Sequence, residues 1–120
     1  MADVIALIDD LFFLAKVRET SKQVGVSLET AGTGEQLAQA AAANPAALVV
    51  VDLNAKQGAI DAVEQLCATG NGGNPRRVIA FLSHVQTDLA NRAISAGCRE
   101  VMPRSKFTQN LAEILRGAKA

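Results

Sequence analysis

The sequence contains no tryptophan and no tyrosine, and its aromatic side chains are limited to four phenylalanines. So few rings argue against an aromatic platform that stacks bases or sugars. The two cysteines, Cys67 and Cys98, are isolated and lack the Cys-x-x-Cys spacing of redox and zinc motifs. We therefore expect two packed free thiols in a protein of the reducing cytoplasm.

Neither sign of charge is in excess. Lys plus Arg and Asp plus Glu each number 12, which leaves a formal net charge of 0. No global field then draws the chain to nucleic acid or to a membrane surface. The longest apolar runs are far shorter than the ~20 residues that cross a bilayer, and the start of the chain lacks the features of a signal peptide. We predict a cytoplasmic protein that binds neither nucleic acid nor membrane.

The chain does contain a regular alternation of apolar runs with amphipathic helical segments. Its 120 residues suit one domain, 1–120, with a single core. Alternation of five short apolar runs with five helical patterns predicts βαβ crossovers, a parallel sheet and helices on both faces. The predicted strands are 4–8, 26–30, 47–52, 78–82 and 99–102.

Local signals predict where several helices begin and end. Gly25 is placed to end the first helix, and Thr33 with Gln36 has the spacing of a capping box at the start of the second. The fourth helix is predicted to bury a stripe that includes Ile94, and the last is predicted as one segment with a stripe over 107–118. The glycine-rich stretch 70–75 lacks the Lys-Ser/Thr of a phosphate-binding loop, so we predict a surface turn there.

Polar residues follow the carboxyl ends of four predicted strands. In an open parallel sheet, ligand sites lie beyond these strand ends. Asp52 ends an apolar, β-branched run, and an unpaired buried carboxylate is costly enough to need a reason. We expect three carboxylates to meet at this end of the sheet and hold a divalent metal. The residues concerned are Asp9, Asp10, Asp52, Ser83 and Arg104.

This ordered set resembles the receiver domain of two-component response regulators, and the resemblance covers the whole chain. It implies an α/β, three-layer (βα)5 flavodoxin-like fold, a doubly wound parallel sheet with strand order 2-1-3-4-5. It also implies a phosphorelay function, in which the protein catalyses only its own aspartyl phosphorylation and dephosphorylation and is not otherwise an enzyme. A histidine kinase or phosphotransfer protein would be the donor.

The resemblance assigns a role to each site residue. Asp52 would be the phosphoacceptor. Mg²⁺ would be held by Asp9, Asp10, Asp52 and the main-chain carbonyl of Asn54. The remaining two residues would be the switch hydroxyl, Ser83, and the cation that contacts the phosphoryl group, Arg104. Phosphorylation would then change the affinity for a downstream protein at the face built from helix 4, strand 5 and helix 5, which Arg92, Arg99 and Lys106 are expected to line.

The sequence departs from the family pattern near the site. Arg104-Ser105 stands where the family usually has Lys-Pro, and without proline we expect a trans peptide bond there. Arginine is a planar fork that grips oxyanions bidentately, so it can still pair with a phosphoryl group. Val101 replaces the switch aromatic of the fifth strand, and the loop after Asp52 contains Lys56 instead of the usual Pro and Asp-Gly.

Four of the site residues also have a structural alternative. Asp9 or Asp10 can cap the helix that starts at Leu11. Ser83 can be an ordinary turn or N-cap residue, and Arg104 can be a solvated cation. These alternatives stay open at the level of sequence.

Two other functions compete with a phosphorylated receiver. A degenerate receiver would bind proteins without ever being phosphorylated, which the altered Lys-Pro pair favours. A metal-dependent phosphatase would need Asp-x-Asp after the first strand and a cap domain, and neither is present in 120 residues. A dinucleotide-binding unit is excluded because no glycine-rich turn follows the first strand.

Overall fold

Five parallel strands form the centre of the molecule. The computed structural model describes residues 2–44, 47–54, 59–69, 77–82, 87–95, 98 and 100–117. The strands are β1 (Val4–Leu7), β2 (Leu28–Ala31), β3 (Leu48–Asp52), β4 (Val78–Leu82) and β5 (Glu100–Pro103). They pair in the order β2-β1-β3-β4-β5, all in parallel. The predicted doubly wound α/β fold and its strand order are confirmed.

The helices lie on both faces of this sheet. They are α1 (Leu11–Val24), α2 (Gly34–Ala43), α3 (Ala59–Thr69), α4 (Thr87–Ser95), α5 (Arg104–Gln109) and α6 (Leu111–Gly117). Gly25 ends α1 with a left-handed backbone, φ 77°, as predicted. At the start of α2, Thr33 Oγ1 accepts the main-chain N–H of Gln36 (3.1 Å), while Gln36 Oε1 accepts that of Gly32 (2.8 Å). The capping pair therefore forms, although Gln36 reaches one residue farther back than a capping box requires.

The prediction of one continuous last helix was wrong. The segment forms α5 and α6, which are separated at Asn110. The main-chain N–H and the side-chain Nδ2 of Asn110 both donate to the carbonyl oxygen of Lys106 (3.2 and 3.0 Å). The asparagine side chain thus adds a second hydrogen bond to a carbonyl near the end of α5, as polar side chains commonly do where a helix ends.

The apolar strands are continuous because they are buried on both faces. Val4 and Ala6 of β1 pack with the helices α1, α5 and α6, whereas Ile5 and Leu7 pack with α2, α3 and α4. Successive side chains of a strand point to opposite faces, so an uninterrupted apolar run serves two layers at once. All four residues of β1 are fully buried.

Four other predictions concern single side chains or segments. Ile94 of α4 is 57% exposed, so its placement in the buried stripe was wrong; Ala93 is the buried residue there. Cys98 is buried, as expected, and its thiol lies 3.5 Å from the carbonyl oxygen of Val78. The side chain of Cys67 and the stretch 70–75 lie outside the described residues. None of the described helices is long and apolar enough to span a bilayer.

Candidate functional site

The register of the two central strands brings the predicted carboxylates together. Leu7 of β1 pairs with Val51 of β3, so the two strands end at the same level. Asp52 is the last residue of β3, and Asp9 and Asp10 lie between β1 and α1, one residue beyond the end of the strand. The carboxyl ends of adjacent parallel strands thus deliver three acidic residues to one place, as the sequence predicts.

Asp52 is almost entirely buried, with 6% of its surface exposed. Its Oδ1 accepts the main-chain N–H of Asn54 (2.9 Å), which orients the carboxylate. Within the described part of the chain, no hydrogen bond reaches its other oxygen, Oδ2. Burial raises the pKa of Asp52, and the neighbouring carboxylates of Asp9 and Asp10 add to that rise. The Asn54 hydrogen bond and the charge of Arg104 act on this pKa in the opposite direction.

Asp10 caps helix α1, so the structural alternative for this residue is confirmed. Its Oδ1 accepts the main-chain N–H groups of Phe12 and Phe13 (3.0 and 3.2 Å). Its Oδ2 accepts a hydrogen bond from Nη2 of Arg104 (2.8 Å). The Arg104 hydrogen bond, followed by that of Phe13, lowers the pKa of Asp10. Asp10 and Asp52 therefore have pKa values that shift in opposite directions, because one is paired and the other is desolvated.

Arg104 is not a solvated cation, so that alternative was wrong. It is the first residue of α5, and its side chain is 28% exposed. Besides its ion pair with Asp10, the guanidinium carbon lies 4.2 Å from the ring centroid of Phe13. The arginine is thus held end-on by a carboxylate and on its flat face by an aromatic ring.

Phe13 is a site residue that the sequence did not indicate. Its ring lies 5.3 Å from that of Phe81 and 5.9 Å from that of Phe107, and the rings of Phe81 and Phe107 stack at 4.6 Å. Three of the four phenylalanines of the chain therefore form one cluster beneath Arg104. Nothing in the local sequence pattern shows that Phe13 lies under a cation, because its partner Arg104 is far away in the chain.

The donors present suit Mg²⁺ in their chemistry. Asp9, Asp52 and the main-chain carbonyl of Asn54 offer hard oxygen ligands, and Mg²⁺ in proteins keeps several waters and takes few carboxylates. Among the described residues, no group of three His, Cys, Asp or Glu side chains is arranged to hold a metal ion. Asp10 contributes least to such a group, since both of its oxygens already accept hydrogen bonds.

The remaining predicted residues belong to the site or to the partner-binding face expected at helix 4, strand 5 and helix 5. Ser83, Lys56 and Arg99 lie outside the described residues. Arg92 of α4 turns toward α3, where its Nη2 lies 2.8 Å from Glu64 Oε1. No cis peptide bond occurs in the described part of the chain, so the bond after Arg104 is trans as expected.

No protein-family model matches the chain, and no curated protein matches it in sequence. Solved structures do match it closely in shape. A response regulator receiver domain protein from Clostridium thermocellum has a TM-score of 0.77 at 18% identity, over 98% of this chain and 94% of that one. Chemotaxis response regulator CheY4 of Vibrio cholerae has a TM-score of 0.73 at 18% identity, over 98% of each chain.

A third similar structure is the beryllofluoride-activated NtrC4 receiver domain dimer, with a TM-score of 0.71 at 15% identity over 96% of this chain and 97% of that one. The likeness agrees with the five-stranded parallel sheet and its strand order. The chain therefore has the fold of the response regulator receiver domains.

Proposed function

We propose that this chain is a phosphorelay receiver that accepts a phosphoryl group on Asp52. The observation that carries the proposal is the carboxylate of Asp52, buried at the end of the central strand near two other carboxylates. Such an arrangement opposes folding, because desolvation and repulsion both disfavour the charged form. Groups placed against stability in this way are typical of functional sites.

The proposed step is attack by a carboxylate oxygen of Asp52 on the phosphorus of a phosphohistidine. The nitrogen–phosphorus bond breaks, the imidazole leaves with the bonding electrons, and an acyl phosphate forms on Asp52. The Asn54 N–H holds Oδ1 in place, so Oδ2 is our choice of nucleophile. Histidine kinases and phosphotransfer proteins are the class of donor that this chemistry needs.

Arg104 is suited to bind the oxygens of the phosphoryl group that is transferred to Asp52. A guanidinium has five N–H donors in a planar fork, and the ion pair with Asp10 uses one nitrogen of it. The remaining donors can form charge-assisted hydrogen bonds with phosphoryl oxygens. Mg²⁺ held by Asp9, Asp52 and the Asn54 carbonyl would supply neutralisation of the charge on the transferring group.

The raised pKa of Asp52 sets the direction of the pH dependence. Only the ionised carboxylate attacks phosphorus, and burial shifts its protonation to higher pH. We therefore expect the rate of phosphorylation to fall on acidification at a higher pH than for an exposed aspartate. Phosphorylation would be read by a cytoplasmic partner protein at the face formed by α4, β5 and the last helical segments, α5 and α6. The chain would turn over no other substrate.

The decisive experiment is the intact mass of the protein after incubation with acetyl phosphate and Mg²⁺. We expect one added phosphoryl group in the wild type. Asp52→Asn is the matched control, because the amide oxygen can still accept the Asn54 N–H but cannot form the adduct. Asp9→Asn should slow the reaction without moving the site. No adduct, together with no binding of beryllofluoride, would refute the proposal.

One observation favours a second function, a protein-binding module that is never phosphorylated. The ion pair with Arg104 gives the Asp10 carboxylate a counter-ion from within the chain itself. Such a module would keep the receiver shape and bind its partner with the same affinity whether or not a phosphodonor is present. The mass experiment separates the two functions, because only the first produces an adduct.

A further inference from the structure

We propose that Asp10 and Phe13 are positioning residues that hold Arg104 near Asp52, and that Asp10 serves this purpose instead of acting as a metal ligand. The inference rests on the proposed function in one respect: the group held in place is the one that would receive the phosphoryl oxygens. The arrangement itself consists only of side chains of this chain. We call Asp10 and Phe13 together the arginine seat.

The first support is the use already made of the Asp10 carboxylate. Each carboxylate oxygen accepts about two hydrogen bonds, and Oδ1 has two, from the N–H groups of Phe12 and Phe13. The other oxygen, Oδ2, bonds to Arg104. The negative charge of Asp10 is thus engaged by the amino end of α1 and by a guanidinium, both of them positive. A divalent cation that used Asp10 would have to share Oδ2 with Arg104 and would be repelled by its positive charge.

The second support is the fixed ring of Phe13. It contacts Phe81 and Phe107, and all three side chains are buried. The ring therefore presents a rigid face to the guanidinium, which lies 4.2 Å from its centroid. The planar guanidinium of arginine can donate to the Asp10 carboxylate from its edge while its flat face contacts the Phe13 ring. The ammonium of lysine is a point charge that can make only one of these two interactions well.

The third support is the place of Arg104 in the chain. It is the first residue of α5, whereas Asp10 and Phe13 belong to the start of α1. The arginine seat therefore ties the beginnings of two helices on the same face of the sheet. The charge held there acts electrostatically on Asp52. Asp10 thus influences Asp52 through Arg104 as well as directly.

The first experiment is side-chain NMR of Arg104 in the metal-free protein. A guanidinium above an aromatic ring has an upfield-shifted Nε–H resonance, and its ion pair slows rotation of the group. Phe13→Leu should return that resonance to its ordinary position. Phe107→Leu is the matched control, since it removes a ring from the same cluster but not the ring under Arg104.

Asp10→Asn is a second variant that keeps a good helix cap while it removes the ion pair. It should restore fast rotation of the guanidinium and weaken the ring-current shift. An Arg104 resonance that is the same in wild type, Phe13→Leu and Asp10→Asn would overturn the proposal. Because no metal or phosphodonor is used, this result does not depend on whether Asp52 is ever phosphorylated.

The second experiment is calorimetric titration with Mg²⁺. Asp9→Asn should weaken Mg²⁺ binding by about tenfold or more, the usual cost of losing a group at a metal site. Asp10→Asn should weaken it by about threefold or less, since it removes only a nearby, partly screened charge. Equal losses in the two variants would show that Asp10 is a direct ligand and would overturn this part of the inference. Absence of Mg²⁺ binding in the wild type would instead count against the proposed function.

Discussion

The two ends of the β-sheet are both polar, but they use their polar groups in opposite ways. At the amino end, Asp3 and Ser27 exchange hydrogen bonds: the N–H of Asp3 donates to Ser27 Oγ, and the N–H of Ser27 donates to Asp3 Oδ2, each at 3.0 Å. The buried Asn44 accepts the N–H of Ala2 and donates to the carbonyl of Ala40, both at 2.9 Å. Every group in this set has a partner of complementary kind.

At the carboxyl end, like charges are gathered instead. Asp9 and Asp10 lie close enough to Asp52 to raise its pKa, and the cation Arg104 is bonded to Asp10. Matched hydrogen bonds hold the amino end together, whereas the carboxyl end is kept in place by the rest of the fold. The comparison indicates that one end of the sheet serves stability and the other serves chemistry.

The largest effect that tests this comparison is expected at the amino end. Asn44→Ala removes an acceptor for Ala2 and a donor to Ala40 at a site that is 6% exposed. We expect the free energy of unfolding to fall by about 2 kcal/mol, because buried groups lose their partners. Urea denaturation measures this change. A loss below about 0.5 kcal/mol, the range of ordinary surface substitutions, would contradict a stabilising role for this end.

A smaller effect of opposite sign is expected at the carboxyl end. Asp52→Asn removes a buried charge and keeps the hydrogen bond from Asn54, so we expect it to stabilise the protein by about 1 kcal/mol near pH 7. The pKa of Asp52 is raised in the folded state. The stabilisation that protonated Asp52 contributes is therefore complete below the pKa of the unfolded state. It is lost as the pH rises through the higher pKa of the folded state.

It follows that the advantage of Asp52→Asn over wild type should shrink on acidification and vanish at about pH 3, below the ordinary carboxyl pKa. Thermal unfolding of both proteins across this range measures the difference. A variant that is less stable than wild type at neutral pH would show that the buried carboxylate stabilises the fold, and the contrast between the two ends would fail.

The smallest effect concerns the exposed ion pair at the amino end. Arg77 bonds to Glu100 through Nε and Nη2 (2.9 and 3.0 Å), with about half of its side chain exposed (46%). Arg77→Lys should cost about 0.5 kcal/mol, since surface pairs are weak and lysine loses the bidentate geometry. A double-mutant cycle with Glu100→Gln should show a coupling that fades in about 1 M salt, where the Debye length is ~3 Å. Coupling that is unchanged by salt would indicate a desolvated pair.

Features set by short-range signals were predicted well. Helix α1 begins after the Asp10 cap and ends at Gly25, because both signals act within a few residues. The meeting of Asp9, Asp10 and Asp52 was predicted because parallel strands of similar length must end together. The break at Asn110 was missed, since the apolar stripe continues across it from Phe107 to Leu111 and Ile114.

The sequence by itself determined the alternation of strands and helices, the burial of the strands and the set of acidic residues at one end of the sheet. Only the tertiary structure decided which of these acids Arg104 would pair with. Arg104 and Asp10 are 94 residues apart in the chain, and β3 and β4 separate their strands in the sheet. They meet because α1 and α5 pack on the same face, and that contact depends on how the Phe13, Phe81 and Phe107 rings fit together, which no local pattern encodes.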